Sequence, residues 1–194
     1  MLVAYNFTRI AVLVRRWFEI SAEAVMEHGA RVELQLLAPQ PHRGTESAAQ
    51  RTVIDEAFWR ADLFGRLDRP ADPFSAAHYH PRFDGIEPSE RVWSAELTAD
   101  PWEWLAGQLN SVEDRLREAG LDAGIAADDA DEIRAFVPDI VATAQRFSPE
   151  RPATRDDDFR LTRDAAERVR RMLTLIPDPA LIDRDYLGPW IRQP

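Results

Sequence analysis

The sequence predicts an α+β fold, in which a small antiparallel sheet or half-barrel in the first half packs against about three helices in the second half. Between residues 31 and 97, apolar side chains recur at every second position, which is typical of half-buried strands. After residue 98 they recur at spacings of three and four, which is typical of amphipathic helices. Because the two patterns occupy separate halves of the chain, they favour α+β over an alternating α/β arrangement.

The first 30 residues are expected to form an N-terminal helix or extension. Residues 8–28 place apolar side chains along one broad face and glutamates along the other, and Gly29 follows where a helix would end. The run at 10–14 is rich in isoleucine and valine, so a strand there remains an alternative.

The β-rich part, residues 31–97, is expected to hold several short strands separated by polar loops. In the first strand, Val32, Leu34 and Leu36 alternate with polar residues, so one face is expected to be buried. Proline, glycine and serine between the strands indicate loops. The expected strands are 31–37, 51–54, 57–64, 75–83 and 90–97.

The helical part, residues 98–194, opens with the clearest start signal in the chain. Asp100 suits the N-cap, Pro101 the first helical position and Glu103 the third. This helix is expected to run to about residue 119 and to end before Gly120.

Two further helices are expected at about 129–147 and 162–176, followed by a docked C-terminal tail. Pro138 lies inside the first of these segments. Because proline lacks a backbone N–H and its ring clashes with the preceding turn, we expect it to break or kink that helix.

Length and composition exclude several classes of protein. A chain of 194 residues is expected to form a single compact domain. It contains no cysteine and no lysine, which excludes disulfides, thiolate catalysis and Schiff-base chemistry. The formal net charge of −10 argues against nucleic acid as a partner. No apolar run is long enough to span a bilayer, so we expect a soluble, cytoplasmic protein without membrane attachment.

The polar residues of greatest interest lie in the stretch "AAHYHPRFD", residues 76–84. It holds two of the four histidines of the chain, His78 and His80, which share a face if the segment is a strand. Arg60 and Asp62 share a face of the preceding expected strand. If the two strands form an antiparallel hairpin, these four side chains can face one another.

Three kinds of chemistry suit this set of side chains. His78, His80 and either Asp62 or Asp84 offer the nitrogen and oxygen ligands that a divalent metal ion accepts. Alternatively, one histidine acts as a general base that Asp62 orients, while Arg60 binds an anionic substrate group.

The third possibility is binding of a small anion without catalysis. Arg60, Arg82 and the two histidines would supply it, and His42 is a further candidate from upstream. Hydrogen-bonded histidines with a purely structural role are also common on strands, and the sequence leaves this alternative open.

His78-x-His80 followed by Asp84 resembles the beginning of the first metal motif of the cupins. The resemblance covers these few residues and implies a metal site in a β-structure. The cupin pattern prefers glutamate where Asp84 stands, and it needs flanking glycines and a later histidine. No histidine follows His80, so a complete cupin site is not expected and the family is not assigned.

Two functions from different classes therefore follow from the sequence. The first is a small-molecule enzyme, metal-dependent or acid/base, with its site in the β-rich part. The second is a non-catalytic regulatory or protein-interaction domain that acts through the tryptophan-rich segment 93–105 and the amphipathic helix 101–119, with a homodimer as one outcome.

Overall fold

The computed structural model describes residues 2–20, 25–40 and 52–150. Five antiparallel strands form one sheet, in which spatial order follows chain order. They are β1 (Leu2–Asn6), β2 (Ile10–Ile20), β3 (Met26–Pro39), β4 (Thr52–Arg66) and β5 (His78–His80). A small hairpin of β6 (Phe83–Asp84) and β7 (Glu87–Pro88) follows.

The helices follow the sheet in the chain. They are α1 (Ala95–Ala99), α2 (Pro101–Asn110), α3 (Val112–Glu118) and α4 (Ala130–Gln145), with a short 3₁₀ helix at Ala123–Ala126 between the last two. The sheet therefore precedes the helices in the chain, which is the α+β arrangement that the sequence predicts. None of the helices in the described ranges is long and apolar enough to cross a membrane.

The two faces of the sheet have different chemistry. One face packs its apolar side chains against the helices and forms the main core, which burial of apolar surface stabilises. Trp59 of β4, for example, stacks on Trp104 of α2 with ring centroids 6.0 Å apart. The opposite face carries charged side chains of β2, β3 and β4 together with the two histidines of β5. Its charged and histidine members are Arg15, Glu19, Glu27, Arg31, Glu33, Arg60, Asp62, Arg66, His78 and His80.

A single carboxylate ties the edge of the sheet to the helical half. Asp129, which directly precedes α4, is fully buried and accepts hydrogen bonds from the backbone N–H groups of Thr8, Arg9 and Ile10, at 2.7 to 2.9 Å. Thr8 and Arg9 lie in the turn between β1 and β2, and Ile10 is the first residue of β2. The carboxylate therefore fixes the turn against the start of α4.

The expected helix at residues 8–28 is wrong, and the alternative strand is what forms. Ile10, Val12 and Val14 join the main core, whereas Ala11 and Leu13 are buried on the opposite face of the sheet. A strand that is buried on both faces appears in the sequence as a continuous apolar run. Periodicity alone does not distinguish such a run from part of a buried helix.

Four of the other expected strands need correction. At 90–97 there is only an isolated bridge between Val92 and Tyr79, and α1 begins after Ser94, whose side chain caps it. The strand expected at 75–83 is limited to β5, because Pro81 has no N–H to donate and residues before His78 form turns. The strands expected at 51–54 and 57–64 are one long strand, β4.

The helical predictions hold with two differences. The helix expected to end near residue 119 is divided at Ser111 into α2 and α3. Pro138 does not end α4, which continues through it; this side chain is exposed, so the carbonyl group that loses its partner can be solvated. The expected helix at 162–176 and the tail lie outside the described residues.

Candidate metal centre

The site forms where β4 and β5 pair at one end of the polar face. Arg60 lies directly opposite His80, and Asp62 lies directly opposite His78. This pairing confirms the expectation that the four side chains share a face of an antiparallel pair. On the other side of β4, Arg31 of β3 lies opposite Asp62. The sheet therefore brings side chains of three neighbouring strands to one point.

The three potential metal ligands are buried. The exposed fraction is 0% for Asp62 and His78 and 4% for His80. Full burial of a carboxylate is costly unless charged or hydrogen-bonding groups compensate for the lost water. The surroundings of Asp62 must therefore supply that compensation.

Backbone carbonyl groups fix the orientation of both imidazole rings. His78 Nδ1 lies 2.7 Å from the carbonyl oxygen of Ala76, and His80 Nδ1 lies 2.5 Å from that of Ser89. Since a carbonyl oxygen only accepts, each Nδ1 carries the proton and donates it. In a neutral imidazole this leaves the lone pair on Nε2. The same arrangement orients histidines in metal sites.

Both Nε2 atoms converge on one oxygen of Asp62. Oδ2 lies 3.4 Å from His78 Nε2 and 3.6 Å from His80 Nε2. The three ligand atoms all lie within 4.8 Å of one another. Ligands about 2.0–2.1 Å from a tetrahedral ion are about 3.3–3.4 Å apart, so the distances suit one ion shared by the three groups.

The Nε2 atom of His78 has no hydrogen-bond partner, although it is buried. It lies 3.4 Å from Asp62 Oδ2, but the direction of the contact does not allow a hydrogen bond. A buried lone pair facing a carboxylate oxygen is unfavourable unless a cation or proton lies between them.

Arg31 makes a bidentate contact with the carboxylate of Asp62. Its Nε lies 2.5 Å from Oδ1, and its Nη2 lies 3.0 Å from Oδ2. The guanidinium group is itself fixed between the rings of Trp17 and Phe64, at 4.2 and 5.4 Å from the ring centroids. Arg31 was not predicted from the sequence, because its place depends on the register of β3 against β4.

Arg60 contacts both Asp62 and His80. Its Nη2 lies 3.1 Å from His80 Nε2 and can donate to the lone pair of that nitrogen. Its Nε lies 3.2 Å from Asp62 Oδ2 but is not directed at it and makes no hydrogen bond. Arg60 is therefore held by charge and by one hydrogen bond, more loosely than Arg31.

The pKa of two groups departs from its ordinary value here. Burial acts to raise the pKa of Asp62, but the close contacts of His78 and His80 and the charge and hydrogen bonds of Arg31 outweigh it and hold the pKa well below the usual range. Burial lowers the pKa of Arg60, and the charge of Arg31 adds to this while Asp62 opposes it. Asp62 is consequently ionised and available as a ligand at neutral pH.

The chain that follows β5 covers the site from outside. Trp93 places its ring 5.2 Å from that of His78 while 58% of the residue remains exposed. Arg91 forms ion pairs with Glu19 and Glu27 at 2.8 and 3.3 Å, and so attaches this segment to β2 and β3. Access to the buried ligands therefore runs past residues 89–93.

Two predicted site residues, Arg82 and Asp84, are not part of this cluster. The side chains of Arg82 and Asp84 are exposed at the β6–β7 hairpin. Among the described residues, the only histidine, aspartate and glutamate groups at mutual ligand distance are Asp62, His78 and His80. His42 lies outside the described residues.

No family model, no curated protein and no solved structure matches this chain. The likeness of His78, His80 and Asp84 to a cupin motif thus stays limited to those residues, and the exposed Asp84 departs from it. The geometry of the site is therefore the basis on which a function can be assigned.

Proposed function

We propose that the protein binds a divalent transition-metal ion through Asp62 Oδ2, His78 Nε2 and His80 Nε2. The observation that supports this most strongly is the buried, partnerless Nε2 of His78, which faces a carboxylate oxygen at 3.4 Å. An ion between these atoms would satisfy both. Two imidazoles and one carboxylate suit zinc, iron and cobalt better than calcium or magnesium, which prefer oxygen ligands.

The three ligands found among the described residues favour a catalytic over a structural ion. Structural zinc sites use four protein ligands, whereas catalytic sites use three and leave a position for water or substrate. We therefore propose a metal-dependent, small-molecule enzyme that acts in the cytoplasm. The ion would polarise a substrate oxygen or activate a water molecule in the open position.

The proposal can be tested by cobalt substitution. Co²⁺ added to the chelator-treated protein should give visible absorption with the intensity of a four- or five-coordinate ion, at one ion per chain. His78→Gln should abolish this spectrum while the circular dichroism stays that of a folded protein.

His28→Gln is the matched control, because His28 is also buried, on β3, but is not among the three ligands. This variant should retain the cobalt spectrum. A spectrum that persists in His78→Gln, or one that is lost equally in both variants, would contradict the assignment of the ligands.

The second candidate is a protein-interaction domain, and one feature of the helical half favours it. A groove of about 440 Å³ lies between α2 and α4, with Trp102, Val137, Pro138 and Val141 among its lining residues. Phe136 nearby is 39% exposed. If two copies associate through this face, light scattering should give the mass of a dimer, and Val141→Asp should restore the monomer. A wild-type monomer at high concentration would remove this support for a homodimer.

A further inference from the structure

The positive and negative charges around Asp62 are balanced before a metal binds. Arg31 and Arg60 lie within 3.2 Å of its carboxylate, but Arg31 also forms an ion pair with Glu19 at 3.1 Å, and Glu33 lies opposite Arg60 on β3. With neutral imidazoles, a bound dication would add two positive charges to this balanced set. Charges buried together need a counter-charge, so the metal-loaded site is expected to recruit an anion.

Metal binding would also free the donors of Arg60. In the metal-free site, Arg60 Nη2 can donate to the lone pair of His80 Nε2 at 3.1 Å. A metal ion on His80 Nε2 uses that same lone pair, so the hydrogen bond is lost. The Nε of Arg60 has no hydrogen-bond acceptor even without the ion.

The two arginines differ in their capacity to accept a new ligand. Arg31 uses Nε and Nη2 on the two oxygens of Asp62 and is fixed between Trp17 and Phe64. Arg60 keeps two adjacent donors, Nε and Nη2, which match the two oxygens of a carboxylate or phosphate group. These donors lie 3.2 Å from Asp62 Oδ2 and 3.1 Å from His80 Nε2, respectively, two of the atoms that would hold the ion.

We propose that the bound ion and Arg60 together bind a small oxyanion, a carboxylate or a phosphate group, as the substrate or its anchoring group. This inference rests on the proposed metal site. One oxygen of the anion would fill the open coordination position, and another would accept hydrogen bonds from Arg60. The site takes the anion only after the metal, since the ion supplies both the coordination position and the freed donors.

This order of binding implies a measurable coupling. By linkage, an anion that binds the metal-loaded protein more tightly must raise the apparent affinity for the metal by the same factor. Couplings between sites are typically about 5- to 150-fold, and direct contact places this one at about tenfold or more.

The experiment is a calorimetric titration of the metal-free, full-length protein with Zn²⁺. It is performed in sodium perchlorate alone and with acetate or inorganic phosphate added at constant ionic strength, after correction for binding of zinc by each anion. The wild type should bind zinc about tenfold more tightly with at least one of the two anions. The more effective anion identifies the source as a carboxylate or a phosphate.

Variants of Arg60 separate this inference from the proposed function. Arg60→Gln should bind zinc without any gain from the anion, and Arg60→Lys, which keeps the charge but has a single ammonium group, should retain only part of the gain. Arg69→Gln, at an exposed position, is the control for net charge and should behave as wild type. The lysine variant also provides a readout if the glutamine variant fails to fold.

The possible failures are distinguishable. No zinc binding in the wild type would overturn the proposed function itself. Zinc binding that neither anion strengthens would overturn the anion site and leave the metal site standing. An equal gain in wild type, Arg60→Gln and Arg60→Lys would show that the anion binds the ion alone, which overturns the role of Arg60.

Discussion

Asp62 is the residue on which the whole polar site depends. Four nitrogen atoms, from Arg31, Arg60, His78 and His80, lie within 3.6 Å of its Oδ2 atom. The β4 strand carries it to the centre of the polar face, where it has no contact with solvent. Its charge therefore offsets that of the two arginines in the absence of metal and provides a ligand in its presence.

Replacement of Asp62 by asparagine should destabilise the metal-free protein strongly. The variant keeps the shape of the side chain but leaves the buried Arg31 with only the partly exposed Glu19 as counter-charge, and the loss of one partner from a buried ion pair costs up to about 3–5 kcal/mol. Urea unfolding in the presence of a chelator measures the loss. Asp68→Asn, which removes a carboxylate from an exposed pair with Arg66, should leave the midpoint unchanged. Equal effects in the two variants would contradict a buried ionic role for Asp62.

The metal-free protein should become less stable as the pH decreases, because Asp62 is then protonated. Its pKa is lower in the folded protein than the value of about 3.9 in an unfolded chain, so the unfolded state takes up the proton first. The stabilisation is fully present above about pH 4 and is lost as the pH falls below this value towards the folded pKa. The difference in urea midpoint between wild type and Asp62→Asn should therefore shrink from pH 6 to pH 3. A difference that stays constant over this range would refute the assignment.

At the scale of the elements, the close approach of β3 and β4 requires glycine at position 29. Gly29 has a φ of +155°, and a Cβ atom there would lie 2.2 Å from the carbonyl oxygen of Leu63. Gly29→Ala should cost at least about 2 kcal/mol, because it combines backbone strain with a clash against main chain that cannot move freely. Chemical unfolding measures the change.

Gly107→Ala in α2 is the matched control. A Cβ atom there meets nothing within 4 Å, so the change should stabilise the protein by up to about 1 kcal/mol through helix propensity. Similar losses in both variants would show that the spacing of β3 and β4 is not the cause.

The contact between Asp129 and the turn before β2 should be equally sensitive. Asp129→Ala removes the acceptor of three buried or half-buried backbone N–H groups, and each bond to a charged group is worth about 1.5–3 kcal/mol. The loss on unfolding should exceed about 2 kcal/mol. The neighbouring Asp128, which is exposed, provides the control Asp128→Ala with little effect. If the two alanine variants unfold at the same urea concentration, the carboxylate of Asp129 does not hold the turn.

The sequence was informative about those elements that carry a clear polarity pattern or an end signal. Both faces of β3 are buried, but Val32 and Leu34 alternate with Arg31 and Glu33, and this alternation predicts the strand; the cap at Asp100 predicts the start of α2. The same logic fails for β2, which is buried on both faces at Ile10–Val14 and has no period to read. It also fails at residues 90–97, where a capping serine at 94 outweighs an apparent alternation.

The candidate site was predictable as far as two adjacent strands determine it. The i, i+2 spacing of His78 and His80, and of Arg60 and Asp62, is enough to place each pair on one face. The participation of Arg31 depends on the β3–β4 register, and the cover by Trp93 depends on a turn of the chain after β5. Neither relation leaves a local pattern in the sequence.

For the whole molecule, the sheet places the main core and the candidate site on opposite faces. Its apolar face forms the core with the helices, and its polar face holds the ligands and their charged neighbours. A ligand that binds only the folded chain must therefore stabilise the entire protein. At a Zn²⁺ concentration 1,000 times the dissociation constant, the gain should be about 4 kcal/mol.

Calorimetric scans with and without Zn²⁺ measure this gain as a rise in Tm. His28→Gln should show the same rise as wild type, since His28 is outside the ligand set. His78→Gln should show none, because the ion loses a ligand. An unchanged Tm in the wild type would mean that zinc does not bind the folded chain selectively.

The most direct test of the central claim is elemental analysis of the untagged, purified protein by inductively coupled plasma mass spectrometry. The wild type is compared with the His78→Ala/His80→Ala double variant, and circular dichroism verifies that both are folded. A metal site at Asp62, His78 and His80 predicts close to one transition-metal ion per chain in the wild type and none in the variant. Absence of metal from the wild type, even after incubation with Zn²⁺ and removal of the excess, would contradict it.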